Sequence, residues 1–94
     1  MAGRARLSVC LHGTVQGVGF RWFARKQAQL LGCTGYVRKD ASGWSVEVVA
    51  EGPRDTLEQL LGRLRSGPAG ARVEHVEVEW QETTDEFGQF QIRH

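Results

Sequence analysis

The chain of 94 residues is long enough for one domain and too short for a second, because a single core needs roughly 50 residues or more. Its hydrophobic content of 40% and charged content of 24% are those of an ordinary globular protein, so we predict one domain over residues 1–94. The formal net charge is only +1, which argues against the broad basic surface that binds a nucleic acid backbone.

The first predicted elements are a strand and a helix. Apolar residues alternate with small or polar ones from Leu7 to His12, the period-two pattern of a half-buried strand, and Gly13 ends it. From Phe20 the pattern changes to that of a helix, which we predict to run to about Leu31 before Gly32 stops it. The predicted inner face of this helix contains Phe20, Phe23, Ala24, Gln27, Leu30 and Leu31.

A hairpin and a second helix follow. The segments Tyr36–Arg38 and Trp44–Glu51 are typical of two strands around the turn Asp40–Gly43. Gly52 ends the second of these strands, and Pro53 suits the first turn of a helix. In that helix, leucines recur at the i, i+3, i+4, i+7 spacing of one buried face, at Leu57, Leu60, Leu61 and Leu64.

Two further strands complete the chain. After the breaker cluster Ser66–Gly70, apolar residues alternate with Glu77 and Glu79 in the segment Val76–Trp80. This pattern predicts a fourth strand with an acidic solvent face. The apolar pair in the segment Phe90–Ile92 predicts a short terminal strand after a polar loop.

The order of these elements predicts the fold class. A β-α-β-β-α-β order with a short terminal strand is typical of an α+β, ferredoxin-like sandwich, in which an antiparallel sheet carries both helices on one face. That fold supports many unrelated functions. Function must therefore be inferred from the loops and side chains.

The loop between the first strand and the first helix has the chemistry of an anion site. Gly17 and Gly19 can adopt positive φ, and a helix N-terminus offers unpaired N–H groups at the positive end of the helix dipole. Arg21, in the first turn, directs its side chain back toward that N-terminus, where a planar guanidinium can bind an oxyanion. The alternative is a tight turn in which Arg21 is a solvated helix-cap residue.

The cysteines and the apolar segments set limits on cofactors and location. Cys10 and Cys33 are too few for a zinc or iron–sulfur site, and His12, His75 and His94 show no ligand spacing with them. We therefore expect free thiols. No apolar stretch reaches the length of a membrane span or a signal peptide, so the sequence predicts a cytoplasmic protein.

Two motifs carry a resemblance to a known family. The run Val15–Arg21 resembles the signature of the acylphosphatase family, and Gly13 lies where that family has its preceding glycine. The run Gly35–Arg38 is similar to a second family signature. Its downstream matches are Gly43, Val46 and Gly52. The resemblance implies a small cytosolic hydrolase that cleaves the carboxyl-phosphate bond of acyl phosphates without metal or organic cofactor.

The resemblance also implies roles for particular residues. Arg21 would bind the phosphoryl group together with loop N–H groups. Those N–H groups belong to Gln16, Gly17, Val18, Gly19 and Phe20. The catalytic position at which the family has a water-orienting asparagine is Lys39 here, and the chain contains no asparagine. A protonated lysine has three donors and no acceptor, so it cannot replace the amide like for like.

Three interpretations of Lys39 stay open. In the first, Lys39 is a phosphate ligand in a slower enzyme. In the second, it is deprotonated and contacts water, and in the third, it is an ordinary surface lysine. The second is the weakest, because a bound phosphate opposes loss of the charge. Asp40 has an acceptor for water, but on a regular strand its side chain faces opposite to Lys39.

The sequence therefore predicts an acylphosphatase whose activity Lys39 can reduce. We expect a monomer that acts on a small-molecule acyl phosphate, with no nucleic acid and no membrane as partners. The alternative is a non-catalytic phosphate- or anion-binding domain of the same fold. A nucleic-acid binder is disfavoured because the third strand lacks a basic-aromatic pattern and carries Glu47 and Glu51.

Overall fold

A computed structural model describes residues 3–94 as one five-stranded sheet with two helices. The elements are β1 (Arg4–Thr14), α1 (Phe20–Leu30), β2 (Thr34–Lys39), β3 (Val46–Pro53), α2 (Arg54–Ser66), β4 (Arg72–Gln81) and β5 (Phe90–Ile92). The strand order is β4-β1-β3-β2-β5. The predicted ferredoxin-like α+β fold is confirmed.

The sheet departs from the prediction at one edge, where β5 pairs parallel with β2 and all other pairs are antiparallel. The physical reason is the path of residues 82–89. This segment leaves β4 at one edge of the sheet and reaches β5 at the other edge. Because it crosses at the end where β2 begins, β5 must run in the same direction as β2.

One face of the sheet, called here the helix face, packs against both helices. Alternate residues of β1 and β3 are fully buried there against the helices, as period-two patterning requires. The helices contribute Phe20, Ala24, Ala28, Leu57, Leu60 and Leu64 to this core. The opposite face, called here the open face, carries polar side chains. Neither helix in residues 3–94 has the length and apolar character of a membrane span.

Three local predictions differ from the structure. Leu30 is 68% exposed, whereas Ala28 is buried, because Leu30 lies about 200° around the helix from Ala28. Trp44 belongs to the hairpin turn, where its N–H donates to Ser42 Oγ at 3.1 Å, so β3 begins only at Val46. The helix α2 begins at Arg54, one residue after the predicted proline.

Gly35 is required by the close approach of β2 and β3. Its φ is +138°, and a Cβ added there would lie 1.9 Å from the carbonyl oxygen of Val49. We expect Gly35→Ala to lower the free energy of unfolding by about 2–3 kcal/mol, as overpacking typically does. Urea unfolding followed by circular dichroism measures this change.

The matched control is Gly62→Ala in α2. A Cβ there meets nothing within 4 Å, and alanine is the better helix former by about 1 kcal/mol. This variant should be as stable as the wild type or slightly more so. Equal unfolding midpoints for the two variants would contradict the steric argument.

Candidate functional site

The glycine loop (residues 15–19) joins β1 to α1, and both of its glycines have left-handed backbone conformations. Gly17 has φ +71°, and Gly19 has φ +73° and is the N-cap of α1, with no side-chain cap hydrogen bond. The helix begins with the hydrogen bond from Phe23 N to Gly19 O at 2.9 Å. In the part of the chain that the structure describes, the N–H groups of residues 16–22 donate to no acceptor. They form a set of free donors at a helix N-terminus.

Buried neighbours hold the glycine loop in place. Val15 and Phe20, at its two ends, are part of the core. The Gln16 side chain donates from Nε2 to the carbonyl oxygen of Ser45 at 3.1 Å, which joins the loop to the hairpin between β2 and β3. The Gln16 side chain is thus held toward the hairpin, while its backbone N–H donates to no acceptor in residues 3–94.

The space in front of the glycine loop is open. A Cβ added at Gly17 or at Gly19 meets no atom of residues 3–94 within 4 Å. The glycines are therefore needed for their positive φ and not to relieve a clash within the protein. An anion can approach the loop N–H groups from this side.

Arg21 lies in the first turn of α1 and is partly buried. Among residues 3–94 it has no ion-pair partner, and the first turn of α1 contains no acidic residue. Its side chain borders a depression of about 170 Å³. The other lining residues are Trp22, Arg25, Ile92 and His94. Arg21 is thus a partly buried cation beside a small concave surface.

Lys39 lies at the same end of the sheet as the N-terminus of α1. It is the last residue of β2, pairs with Val46, and by alternation shares the helix face with Val37. Lys39 is exposed and forms no ion pair with any residue from 3 to 94. The last pair between β2 and β5 is Val37 with Ile92, so Lys39 lies two residues beyond the pairing with β5. The depression beside Arg21 reaches Ile92 and His94, and Lys39 is not one of its lining residues.

Asp40 is directed away from this corner. Its Oδ1 accepts from the N–H groups of Ser42 at 3.0 Å and Gly43 at 3.2 Å, and its Oδ2 lies 3.9 Å from Cys10 Sγ on the open face. The hydrogen bond from the Ser42 side chain holds the pKa of Asp40 below its ordinary value. Asp40 thus serves the turn and, as predicted, does not share the face of Lys39.

Sequence reasoning did not identify Ile92 and His94 as neighbours of Arg21. The alternation in β5 predicted a strand, but only its parallel pairing with β2 places that strand beside α1. The glycine loop and the first turn of α1 thus combine free N–H donors with one guanidinium. Such a site suits a small, multiply charged anion.

Comparisons with known proteins agree on one family. The acylphosphatase family model matches residues 7–92. An acylphosphatase from Salinibacter ruber is 48% identical over 88 residues, which cover 94% of this chain and 92% of that protein.

Solved structures agree with this match. The acylphosphatase from Bacillus subtilis superposes with a TM-score of 0.90 at 28% identity, covering 96% of this chain and 99% of that one. The acylphosphatase from Coxiella burnetii gives a TM-score of 0.87 at 37% identity, with coverages of 96% and 93%. The chain belongs to the acylphosphatase family and is a hydrolase of that class.

Proposed function

We propose that Arg21 and the N–H groups of residues 16–20 bind the phosphoryl group of an acyl phosphate, which the protein hydrolyses to carboxylate and inorganic phosphate. The observation that carries the proposal is the set of loop N–H groups without protein acceptors, next to a guanidinium without an ion pair in residues 3–94. N–H groups at a helix N-terminus and a guanidinium are donors that bind phosphoryl oxygens, and one phosphoryl group can accept from both.

The reaction needs positioning and charge neutralisation more than covalent catalysis. A water oxygen forms the new bond to phosphorus, the bond from phosphorus to the acyl oxygen breaks, and its electron pair leaves with the carboxylate. The water protons pass to phosphate and solvent. Because a carboxylate is a good leaving group, no strong general acid is needed. Fixed N–H donors and Arg21 neutralise the phosphoryl oxygens as charge redistributes.

Lys39 has a separate role in this proposal as a second cation for the phosphoryl group. It offers three donors and no acceptor, so it strengthens anion binding and does not orient water as an amide would. We infer a slower enzyme that retains phosphate product more strongly. The second candidate function is a non-catalytic anion-binding domain. It is favoured by the presence of Lys39 where the family has an asparagine, because a cation binds an anion but does not orient water.

The substitution Lys39→Asn tests both candidates. We expect kcat for an aryl acyl phosphate to rise about 10- to 100-fold, because one aligned catalytic hydrogen-bonding group is typically worth about 10²–10³. The inhibition constant of inorganic phosphate should rise as well, since one cation is lost. Steady-state hydrolysis with and without phosphate measures both quantities.

Lys26→Asn is the matched control, because Lys26 is the only other lysine and lies exposed on α1. It should leave both constants unchanged. Unchanged constants in Lys39→Asn would place Lys39 outside the site. A wild-type protein that binds phosphate in calorimetry but hydrolyses no acyl phosphate would identify the non-catalytic domain.

We infer further that the protein acts as a cytoplasmic monomer and has no nucleic acid partner. The open face, where related folds have room for nucleic acid, carries the carboxylates of Glu47, Glu77 and Glu79, which repel phosphates. The large exposed apolar residues within 3–94 are divided among α1, the hairpin turn and β4, which argues against one broad association surface. They are Trp22, Leu30, Trp44 and Val78.

A further inference from the structure

Four metal-ligating side chains meet on the open face, across β1 and β4. The strand register pairs Cys10 with Glu77 and His12 with His75. Ligand atoms of Cys10, His12 and Glu77 all lie within 4.8 Å of one another. His75 Nε2 lies 3.9 Å from Glu77 Oε1, the same oxygen that lies 3.6 Å from His12 Nε2. Two adjacent cross-strand pairs thus form one compact cluster.

His12 has an orientation suited to a metal ligand. Its Nδ1 lies 2.6 Å from Ser45 Oγ, whereas its Nε2 is shielded from solvent and has no hydrogen-bond partner in residues 3–94. A buried polar atom without a partner is rare in folded proteins. Metal-binding histidines typically donate from their other ring nitrogen to a protein group, which fixes the ring. With hydrogen on Nδ1, the Nε2 lone pair is available to a metal, and Nε2 lies 3.6 Å from Glu77 Oε1.

The electrostatic surroundings favour a cation. Burial, followed by the charges of Asp40, Glu77 and Glu47, raises the pKa of the Cys10 thiol. The carboxylates that disfavour a free thiolate attract a divalent ion, and a bound ion reverses their effect on the thiol. A depression of about 220 Å³ beside Cys10 and Glu77 gives access from solvent.

We propose that Cys10, His12 and Glu77 bind a zinc ion on the open face, with His75 as the fourth ligand. Thiolate, imidazole and carboxylate are the donors that zinc takes in tetrahedral sites. Bonds of about 2.0–2.3 Å place tetrahedral ligand atoms roughly 3.3–3.8 Å apart. The ligand atoms of Cys10, His12 and Glu77, within 4.8 Å of one another, are already near that spacing. The zinc site lies on the open face, and its assignment does not rest on the proposed hydrolysis.

Zinc titration of the full chain by calorimetry tests the proposal. We expect one saturable site per chain. Cys10→Ser and His12→Ala should each raise the dissociation constant more than about 100-fold, because loss of even an outer partner of a ligand costs about 10–100-fold. Cys33→Ala and Glu79→Gln are the matched controls, since Cys33 lies in the core and Glu79 is the next open-face carboxylate of β4. Both should bind zinc like the wild type.

Cobalt substitution gives a second readout that identifies the ligands. The wild type should show thiolate-to-cobalt charge transfer and the intense d–d bands of tetrahedral coordination. Cys10→Ser should lose the charge-transfer band. Glu77→Gln should lower the cobalt affinity, and it should fold normally because the Glu77 side chain is exposed. Equal zinc affinity in the wild type and Cys10→Ser, or a charge-transfer band that depends on Cys33, would overturn the proposal.

Discussion

Arg21→Ala is expected to lower kcat/KM for an aryl acyl phosphate by about 10³-fold or more. Arg21 is the one guanidinium in the first turn of α1, and in the described residues its charge is not compensated by a carboxylate. An arginine that stabilises a transferring phosphoryl group is typically worth about 10³–10⁵ in rate. Steady-state hydrolysis at saturating and limiting substrate separates the effect on kcat from that on KM.

Arg25→Ala is the matched control for Arg21. Arg25 lines the same depression, one turn further along α1, and its guanidinium lies over the Trp22 ring at 4.2 Å. The control removes the same charge and should reduce activity little. Arg21→Lys keeps the charge but loses the bidentate geometry, so it should fall between the wild type and Arg21→Ala. Equal rates in Arg21→Ala and the wild type would refute the assigned role.

Glu51→Ala is expected to lower the free energy of unfolding by about 3–5 kcal/mol, the usual cost of removing one partner from a buried ion pair. Glu51 is 1% exposed. Its carboxylate accepts from Arg6 Nε at 3.0 Å, from Thr84 N at 2.8 Å and from Asp85 N at 2.9 Å. The substitution leaves one guanidinium and two backbone N–H groups without this acceptor. Urea unfolding measures the loss.

The control for Glu51 is Glu47→Ala on the same strand and the same face. Glu47 accepts from Arg38 Nε at 2.8 Å, but both side chains are partly exposed, and such pairs contribute little to stability. If Glu51 is only a surface charge, the two variants will unfold at the same denaturant concentration. Because the segment 82–89 is attached through Glu51, proteolysis within it should also accelerate in Glu51→Ala alone.

Element order was predictable from sequence because each element has a local cause. The alternation from Leu7 to Leu11 and the leucine spacing in α2 each reflect the side-chain periodicity of a single element. The apolar residues of both patterns are buried as predicted, except Leu61, which is partly buried. The inner face of α1 was predicted less well. Leu30 is exposed because the buried stripe follows Phe20, Ala24 and Ala28 at i+4 spacing.

The sequence by itself determined the glycine loop, since Gly17, Gly19 and Arg21 are neighbours in the chain and their conformation depends on local backbone freedom. Only the tertiary structure decided the direction of β5, the approach of His94 to Arg21, and the cluster of Cys10 with Glu77. These contacts join residues more than fifty positions apart, and their geometry depends on strand order and register. No local pattern encodes the register, because hydrophobic alternation fixes only which face each side chain takes.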